Sequence, residues 1–373
     1  MRILHIAEAP GGVERYLVSL IKNMATFHED EHILACSSAY DKVKFKDLVQ
    51  NYIVIEHMHN ELSPKNDLCA IFELRKIIRN YHPDIVYCHS SKAGAVGRIA
   101  DIGFHNKVIY NAHGWSFNMK GISVRKAKFF TIVERMLAYV TDRIVCISEF
   151  EKKSALEHKI CKEESIVVIN NGIDFCEYKD VNRERRELLN IPNDAFVVGT
   201  TGRLAIQKAP DSFVKMAVEV KKIIPEAFFL MVGDGPERQS IEELINTYRI
   251  RDSFLLTGWV DDPLNYICCF DVAVLLSRWE GFGLVLPEYM IMNKPIVATN
   301  ADAIPFVLAD AGIIVDIDDY KAAAESVIRL YKDLGLRVCL VKRGKKRVQL
   351  FNIERTANEH EILFKEVLKD VHT

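Results

Sequence analysis

Long apolar runs are missing from this sequence. No stretch approaches the ~18 to 20 consecutive apolar residues that a helix needs to cross a bilayer. The N-terminal apolar stretch is interrupted by His5, Glu8 and the Gly11-Gly12 pair, unlike a signal peptide. We therefore expect a protein that can touch a membrane surface but does not span the membrane.

Paired cysteines are missing as well. The nine cysteines are scattered along the chain without a C-x-x-C pair, so neither a zinc site nor a disulfide framework is indicated. Most of them have apolar neighbours, which is typical of small core side chains in a reducing compartment. This pattern favours a cytoplasmic protein.

Neither sign of charge is in excess, and two phosphate-binding signatures are absent. The 49 basic and 51 acidic residues leave a net charge of -2 without long runs of one sign, so we expect no nucleic-acid partner. The three-glycine dinucleotide fingerprint and the P-loop lysine motif do not occur. A phosphate-bearing ligand would need a different kind of site.

The residues that are present predict two α/β domains. A chain of 373 residues is too long for one typical core. Helical periodicity over Val13–Met24 and Ala70–Tyr81 alternates with strand-like runs, which is typical of parallel sheets covered on both faces. The predicted strands are Ile3–Ala7, His32–Cys36, Tyr52–Ile55, Ile85–Cys88, Lys107–Tyr110, Arg143–Ile147, Ser165–Ile169, Phe196–Thr200, Ala227–Val232, Phe254–Thr257, Val272–Leu276, Pro295–Ala298 and Gly312–Val315.

The pattern of strands restarts near the middle of the chain. We place one Rossmann-like domain at 1–172, with a C-terminal helix in 352–373 packing back on it, and a second at 173–351. The turn signal Asn171-Gly172 and the charged stretch Arg183–Arg186, interpreted as a surface helix, put a hinge between Asn170 and Pro192. Two facing domains would enclose a binding cleft.

Two glutamates, Glu280 and Glu288, follow a buried strand across a turn that contains Gly281 and Gly283. Pro287 is placed to open a helix, with Glu288 in its first turn. The end of such a strand is where α/β sheets bind ligands, and carboxylates accept hydrogen bonds from hydroxyl pairs. Alternatively, Glu288 complements the helix dipole and Glu280 is a solvated loop residue.

Basic and glycine-rich loops follow other predicted strands. Arg203 and Lys208 leave the strand end within five residues of each other and can neutralise a diphosphate. The turn Gly233-Asp234-Gly235-Pro236 follows the next strand, and Gly11-Gly12 joins the first strand to the first helix. Each feature also has a structural interpretation, as solvated cations or tight turns.

Histidines stand near two strand ends of the first half. His113 and Gly114 end a strand that we extend over Val108–His113, and His113 is either a structural residue or a ligand contact that accepts a hydrogen bond from a sugar. His89 opens the segment HSSKAGAVGRIAD, whose small residues indicate close helix packing first and site lining second.

These motifs, in this order, resemble the retaining glycosyltransferases of family 4, which have the GT-B fold, and the similarity extends over essentially the whole chain. The most specific matches are Glu280-Gly-Phe-Gly-Leu-Val-Leu-Pro-Glu288, Gly202-Arg203-Leu204 to Lys208 and Gly233-Asp-Gly-Pro236. Less specific ones are Gly11-Gly12, His113-Gly114 and Asn171-Gly-Ile-Asp174. The resemblance implies transfer of a hexose from a nucleotide diphosphate sugar to an acceptor hydroxyl with retention, by a front-face mechanism.

The resemblance also implies roles for individual residues. Arg203 and Lys208 would hold the donor diphosphate, Glu288 the ribose hydroxyls and Glu280 the hydroxyls of the transferred sugar, while His113 would assist the transition state. The remaining expected contacts to the donor are Gly11, Gly12, Gly233, Gly281, Phe282 and Gly283.

Metal dependence is not implied, and the nucleotide sugar is a co-substrate rather than a cofactor. The single Asp-x-Asp sequence, Asp316-Ile-Asp318, is interpreted as a loop and helix cap.

Two segments, HSSKAGAVGRIA and NAHGWSFN, look most like the subgroup that builds bacterial capsule, exopolysaccharide or O-antigen on a polyprenyl diphosphate carrier. This implies a saccharide or lipid-linked saccharide acceptor at the inner face of the cell membrane. Basic and aromatic residues in Lys120–Tyr139 suit a peripheral contact with anionic lipid, although an ordinary amphipathic surface helix is the slightly favoured interpretation.

Two other functions remain open on this scaffold. One is a sugar-nucleotide epimerase or hydrolase, and the other is a non-catalytic sugar-nucleotide-binding partner subunit. The intact set of Arg203, Lys208, Glu280 and Glu288 speaks against a degenerate site.

Overall fold

The computed structural model of the chain describes residues 1–8, 10–27, 30–59, 61–178 and 185–369. The chain divides into two units, which we call unit 1 (Met1–Ile173 with Asn352–Thr373) and unit 2 (Asp174–Phe351). The sequence-based division differs from this one only in the assignment of Ile173. Part of the predicted charged helix, residues 183 and 184, lies outside the described residues.

Unit 1 is built on a seven-stranded parallel sheet with the order β3-β2-β1-β4-β5-β6-β7. Its strands are β1 Arg2–Ala7, β2 Glu31–Cys36, β3 Asn51–Val54, β4 Ile85–His89, β5 Lys107–Asn111, β6 Arg143–Cys146 and β7 Ile166–Val168. Its first six helices are α1 Gly12–Phe27, α2 Lys42–Phe45, α3 Pro64–Tyr81, α4 Ser91–Asp101, α5 Val124–Ala138 and α6 Glu149–Glu157.

Unit 2 has a six-stranded parallel sheet with the order β10-β9-β8-β11-β12-β13. Its strands are β8 Phe196–Thr201, β9 Ala227–Val232, β10 Phe254–Leu256, β11 Val272–Leu275, β12 Ile296–Thr299 and β13 Ile313–Val315. Its helices are α7 Arg185–Leu188, α8 Pro210–Lys221, α9 Arg238–Thr247, α10 Leu264–Ile267, α11 Val285–Ile291, α12 Ile304–Leu308, α13 Tyr320–Lys332 and α14 Leu334–Arg347.

The strand order reverses between β1 and β4 in unit 1 and between β8 and β11 in unit 2. Two chain segments leave such a point in opposite directions and open a crevice at the carboxyl ends of the central strands, where α/β sheets bind ligands. All thirteen predicted strands are present, and their ends differ by no more than one residue from the thirteen ranges given above. The sequence therefore locates both crevices.

The last helix, α15 (Ile353–Lys369), belongs to unit 1. It packs beside α1 on one face of the unit 1 sheet, where Leu363, Phe364 and Val367 join the buried core. Its His360 is fully buried and contacts Tyr16 of α1 and Tyr87 of β4. One face of unit 1 is therefore completed by residues that follow unit 2 in the sequence.

Two predicted boundaries were wrong. Helix α11 begins at Val285, so Pro287 is its third residue rather than its first. A proline is tolerated there because the first N–H groups of a helix have no partner within the helix. Strand β5 ends at Asn111, and both His113 and Gly114 then adopt left-handed backbone angles.

A buried ion pair joins α4 to α5. The Arg98 guanidinium donates to the Glu134 carboxylate at 2.7 Å, with both side chains almost fully buried. Arg98 also stacks on the Tyr110 ring at 3.7 Å, and the Tyr110 hydroxyl donates to Glu134. Helix α4 can lie close to Tyr110 of β5 because Gly94 has no side chain; a Cβ there would lie 2.2 Å from that ring. This supports the packing interpretation of HSSKAGAVGRIAD.

Replacement of Glu134 by glutamine should destabilise the protein by about 3 to 5 kcal/mol, because it leaves the Arg98 charge buried without its partner. Urea denaturation at neutral pH measures this change. Glu157→Gln, which breaks the exposed pair between Lys153 and Glu157, is the matched control and should change stability little. Equal effects of the two substitutions would contradict the assigned role of the buried pair.

Candidate functional site

An ion pair at the centre of the unit 2 crevice brings together two of the predicted site residues. Lys208 Nζ lies 2.5 Å from Glu280 Oε2. Lys208 comes from the loop after β8 and Glu280 from the loop after β11, the two strands between which the order reverses. Ser277 Oγ also donates to Glu280 Oε2 at 3.1 Å.

The Glu280 loop is held from several sides. The Glu280 backbone N–H donates to the Asp302 carboxylate at 2.8 Å, and Thr299 Oγ1 donates to the Ser277 carbonyl at 2.6 Å. Glu280 Oε1 makes no hydrogen bond with the described residues, so one carboxylate oxygen remains for a ligand hydroxyl. The carboxylate is therefore positioned before any ligand arrives.

Arg203 differs from Lys208 in its surroundings. Its side chain is exposed and makes no ion pair with the residues that the structure describes. The Lys208 ammonium has three N–H donors, of which Glu280 takes one. Two donors of Lys208 and the whole fork of Arg203 can therefore bind phosphate oxygens.

The glycines of the Gly233–Pro236 turn fit against the backbone of the loop after β8. A Cβ on Gly233 would lie 2.1 Å from the Gly202 carbonyl oxygen, and one on Gly235 would lie 2.4 Å from that of Leu204. The Leu204 N–H in turn donates to the Asp234 carbonyl at 2.9 Å. These glycines let the two loops pack together and so fix the position of Arg203.

Glu288 and Phe282 are buried, whereas Gly281 is partly exposed. Glu288 lies in the first turn of α11, and Phe282 packs edge-on against Phe351 at 5.4 Å between ring centroids. Gly283 has a left-handed φ of 80°, which turns the chain from the loop into α11. The predicted residues of this segment thus follow one another around the carboxyl end of β11.

An aspartate and arginine network borders the same crevice. Arg278 donates to both carboxylate oxygens of Asp211, at 2.9 and 3.0 Å, and to Asp318 at 2.7 Å. The N-cap residue of α13 is Asp319, so the predicted capping role of the Asp-x-Asp sequence was displaced by one residue.

Among the described residues, no group of three or more histidine, cysteine or acidic side chains is arranged to hold a metal ion.

The unit 1 crevice holds Gly11, Gly12 and a buried acid. Gly11 has a left-handed φ of 98°, and Gly12 begins α1; a Cβ built on either glycine would meet open space within 4 Å. Glu8, at the end of β1, accepts hydrogen bonds from Ser90 Oγ and from the Ala93 N–H of α4. Burial raises the pKa of this carboxyl, so its proton is held more tightly than that of an exposed glutamate.

His113 stands at one end of a line of four histidines. Its Nε2 lies 3.1 Å from His89 Nδ1; His89 Nε2 lies 3.2 Å from His5 Nδ1; and His5 Nε2 lies 3.1 Å from His32 Nδ1. The centroids of successive rings are 5.4 to 5.5 Å apart and the ring planes differ by only 20 to 27°, so the rings lie nearly parallel and edge to edge. His5, His32 and His89 are fully buried on the face of the sheet that α1 and α15 cover.

Burial keeps these imidazoles neutral. Loss of hydration lowers the pKa of His113 to about 3 and those of His32 and His360 to about 4. The pKa values of His5 and His89 lie well below the ordinary value for the same reason, reinforced by the neighbouring imidazoles. The Glu151 carboxyl makes a hydrogen bond with the backbone of Gly114, the residue after His113, and burial raises the pKa of Glu151 to about 8.

Several residues of these crevices were not predicted: Glu8, Ser90, Ser277, Arg278 and Asp302. Glu8 had a readable signal, since it directly follows the first strand and precedes Gly11-Gly12. Arg278 and Asp302 had none, because their partners come from distant parts of the chain. Ser277 lies only three residues before its partner Glu280, but a serine at that place is not by itself a signal.

Comparison with known proteins agrees with this geometry. Residues 10–175 match the family model "Glycosyltransferase Family 4", and residues 181–347 match "Glycosyl transferases group 1". The chain belongs to the family 4 glycosyltransferases. Its fold is GT-B, and it is an enzyme of the transferase class.

Relatives of this glycosyltransferase extend along nearly its whole length. An Escherichia coli enzyme named UDP-Gal:alpha-D-GlcNAc-diphosphoundecaprenol alpha-1,3-galactosyltransferase is 26% identical over 98% of this chain and 96% of its own. The capsular polysaccharide biosynthesis glycosyltransferase CapM of Staphylococcus aureus is 27% identical over 87% of this chain and 88% of its own. The Staphylococcus aureus relative is thus named for capsule synthesis and the Escherichia coli relative for a lipid-linked saccharide, the two features that the resemblance implied.

Solved structures share the fold. The Anabaena HepE structure in complex with UDP and glucose has a TM-score of 0.84 at 18% identity, covering 98% of this glycosyltransferase and 99% of HepE. Sucrose-phosphate synthase from Thermosynechococcus elongatus has a TM-score of 0.85 at 21% identity, covering 99% and 100% of the two chains.

Acidification should destabilise unit 1 of the glycosyltransferase. His5, His32, His89, His113 and His360 all have lowered pKa values in the folded state, so their contribution to stability is present above their unfolded pKa of 6.5. It is lost as the pH falls from 6.5 towards their folded values, because only the unfolded chain then takes up protons. Carboxyl groups whose pKa is raised in the folded state, such as Glu8 and Glu151, change stability in the opposite direction as the pH falls, but there are fewer of them.

Thermal melting between pH 7.5 and 5 measures this dependence. His32→Gln removes one titrating imidazole and should make the loss of melting temperature with falling pH shallower. His82→Asn, at an exposed helix end with left-handed φ, is the control and should leave the dependence unchanged. A melting temperature independent of pH over this range would contradict the neutral state of the buried imidazoles.

Proposed function

We propose that this glycosyltransferase transfers a hexose, with retention of anomeric configuration, from a nucleoside diphosphate sugar to a hydroxyl of a lipid-linked saccharide. The acceptor is a saccharide on a polyprenyl diphosphate carrier, used in the synthesis of a surface polysaccharide. The single observation that carries the proposal is the Lys208–Glu280 ion pair at the point where the strand order of unit 2 reverses. Arg203 is exposed on the same loop as Lys208.

In the proposed reaction, Lys208 and Arg203 bind the donor diphosphate through the N–H groups that the protein leaves free. Negative charge grows on the diphosphate as the bond from the anomeric carbon to its oxygen breaks, and these cations stabilise it. The acceptor oxygen bonds to the anomeric carbon on the same face, and its proton passes to the leaving phosphate. No protein nucleophile is required.

Glu280 and Glu288 orient the donor in this proposal. The free Oε1 of Glu280 accepts a hydrogen bond from the sugar, while Ser277 and Lys208 keep the other oxygen in place. Glu288, in the first turn of α11, accepts from the ribose hydroxyls. Because both carboxylates are positioned beforehand, less entropy is lost when the donor binds.

Metal independence is part of the proposal. Two cations next to the diphosphate supply the charge that a divalent ion would otherwise provide. The carboxylates of the Asp-x-Asp sequence already have protein partners: Asp316 accepts from Asn300, and Asp318 accepts from Arg278 and Ser212.

The lipid-linked acceptor is supported by relatives. The Escherichia coli relative is named for a diphosphoundecaprenol-linked acceptor and a UDP-galactose donor, and the Staphylococcus relative for capsule synthesis. We therefore propose a UDP-hexose as donor. The site of action is the inner face of the cytoplasmic membrane, where both substrates meet.

The function is tested by incubating the purified chain with UDP-galactose or UDP-glucose and a polyprenyl diphosphate saccharide, with and without EDTA. We expect a new α-glycosidic bond, identified by NMR of the product, and undiminished turnover in EDTA. Free hexose would favour a hydrolase, and an epimerised nucleotide an epimerase. Donor binding without any turnover would favour a non-catalytic subunit.

Lys208→Ala and Glu280→Ala should each reduce kcat/KM by about a hundredfold or more, since each removes a charged contact to the donor. Melting temperature and donor-induced stabilisation are measured on the same variants. Lys215→Ala, on the same loop-to-helix segment but paired with Asp211, is the control. Variants that fold and have the same kcat/KM as the parent protein would contradict the assignment of this site.

We further propose that α5 docks on anionic membrane. Four large hydrophobic side chains repeat at helical spacing along α5 and its C-cap residue, Tyr139, and are 53 to 92% exposed: Phe129, Ile132, Met136 and Tyr139. Cations flank this stripe: Arg125, Lys126, Lys128 and Arg135. An exposed apolar stripe beside clustered positive charge is complementary to an anionic lipid surface. No described helix combines the length and hydropathy of a membrane-spanning segment.

Vesicle co-sedimentation tests this surface. Binding should require phosphatidylglycerol, and the paired substitution Arg125→Glu with Lys128→Glu should lower partitioning by at least about tenfold, since each charge contributes about 1 kcal/mol near such a surface. Phe129→Ser with Ile132→Ser should also weaken it. Ile223→Ser, at an exposed apolar residue of unit 2, is the control. Equal binding of all variants, or equal binding to neutral vesicles, would contradict the proposal.

A further inference from the structure

The four histidines that end at His113 form one connected set of hydrogen bonds. They come from three strands and a loop: His32 from β2, His5 from β1, His89 from β4 and His113 from the segment after β5. Each contact joins Nδ1 of one ring to Nε2 of the next. The line crosses the sheet diagonally and reaches the carboxyl edge at His113.

This pattern couples the proton positions of all four rings. A neutral imidazole carries one N–H, and each contact needs one N–H and one lone pair. If one ring is protonated at Nδ1, its Nε2 must accept and its neighbours must follow. The four rings therefore share one tautomer, either all Nδ1–H or all Nε2–H.

The far end of the line decides between these two states. His32 Nε2 is buried and has no hydrogen-bond partner among the described residues. A buried N–H without a partner is rarer and more costly than a buried lone pair without one. His32 therefore carries its proton on Nδ1, where it donates to His5.

The near end of the line is held in place by its surroundings. The backbone N–H of His113 donates to Asn111 Oδ1 at 3.0 Å, and the His113 ring meets the Tyr16 ring edge-on, with centroids 4.8 Å apart. His113 is partly exposed, and its Nδ1 makes no hydrogen bond with the described residues. The nitrogen that does not face His89 is thus left for a ligand.

We propose that His89 is a positioning residue which, backed by His5 and His32, holds His113 in the Nδ1–H tautomer, so that His113 meets its ligand as a hydrogen-bond donor. The ligand group is an oxygen that accepts a hydrogen bond, such as a sugar or phosphate oxygen. The part of this inference that concerns catalysis rests on the proposed function. The tautomer itself does not.

The inference changes the role expected for His113. As an Nδ1–H donor, His113 stabilises an oxygen that gains negative charge, and it cannot accept a hydrogen bond from a sugar hydroxyl through that nitrogen. Acting as a base at Nδ1 would require all four rings to switch tautomer and would leave an N–H buried at His32.

Histidine-selective ¹⁵N labelling and two-bond ¹H–¹⁵N correlation spectra at pH 7.5 test the tautomers directly, without any substrate. Single substitutions assign the signals. We expect the Nδ1–H pattern for His5, His32, His89 and His113. An Nε2–H pattern, a mixture or an imidazolium at His113 would overturn the proposal, whatever the enzyme transfers.

Substitutions at position 89 separate positioning from packing. His89→Asn retains an amide donor near the place of Nδ1 and should keep the His113 tautomer, whereas His89→Leu removes the donor and should give a mixture. The leucine variant should also lose about tenfold in kcat/KM, the effect of one lost hydrogen bond, with partial recovery in the asparagine variant.

The control for loss of a buried imidazole is His360→Gln, since His360 lies on the same face of the sheet but outside the line. It should lower the melting temperature and leave the His113 signal unchanged. A His89→Leu variant that still shows only the Nδ1–H pattern at His113 would overturn the positioning role. If that variant does not fold, the spectra of the parent protein still decide the tautomer.

Discussion

The ion pair between Lys208 and Glu280 is the interaction on which the unit 2 crevice depends. Its partners come from loops that follow neighbouring strands, 72 residues apart in sequence. Because parallel strands are buried on both faces, polar side chains collect in the loops at the carboxyl edge of the sheet. Ser277, Thr299 and Asp302 hold the Glu280 loop, and Gly233 lets the loop that carries Lys208 pack closely against the turn after β9. The remaining charges of the crevice are arranged around this pair.

Charge is distributed differently in the two units. All twelve histidines lie in the segments that form unit 1, and residues 174–351 contain none. In the proposed function, unit 2 binds the donor diphosphate through the cationic side chains of Lys208 and Arg203. Unit 1 instead places neutral, hydrogen-bonded imidazoles under its crevice. The two units therefore offer chemically different surfaces: fixed cations in one, and directed hydrogen bonds in the other.

Both crevices were predictable from the sequence, because apolar runs mark buried strands and the loops after them carry glycine and charge. Glu280, Arg203 and Lys208 were found in this way. The line of histidines was not, since it depends on the registers of β1, β2 and β4 and on the alternation of side chains across the sheet. The start of α11 was missed because Pro287 fits the third helical position as well as the first.

Helix α15 has a consequence for how the protein is made. It supplies Phe364 and Val367 to the core of unit 1 and covers the face on which the histidines lie. During synthesis, the strands of unit 1 leave the ribosome first, yet this face stays uncovered until all of unit 2 and then residues 353–369 have emerged. Translation thus completes unit 2 before unit 1, although unit 1 comes first in the gene, and the nascent chain exposes an apolar sheet face in the interval.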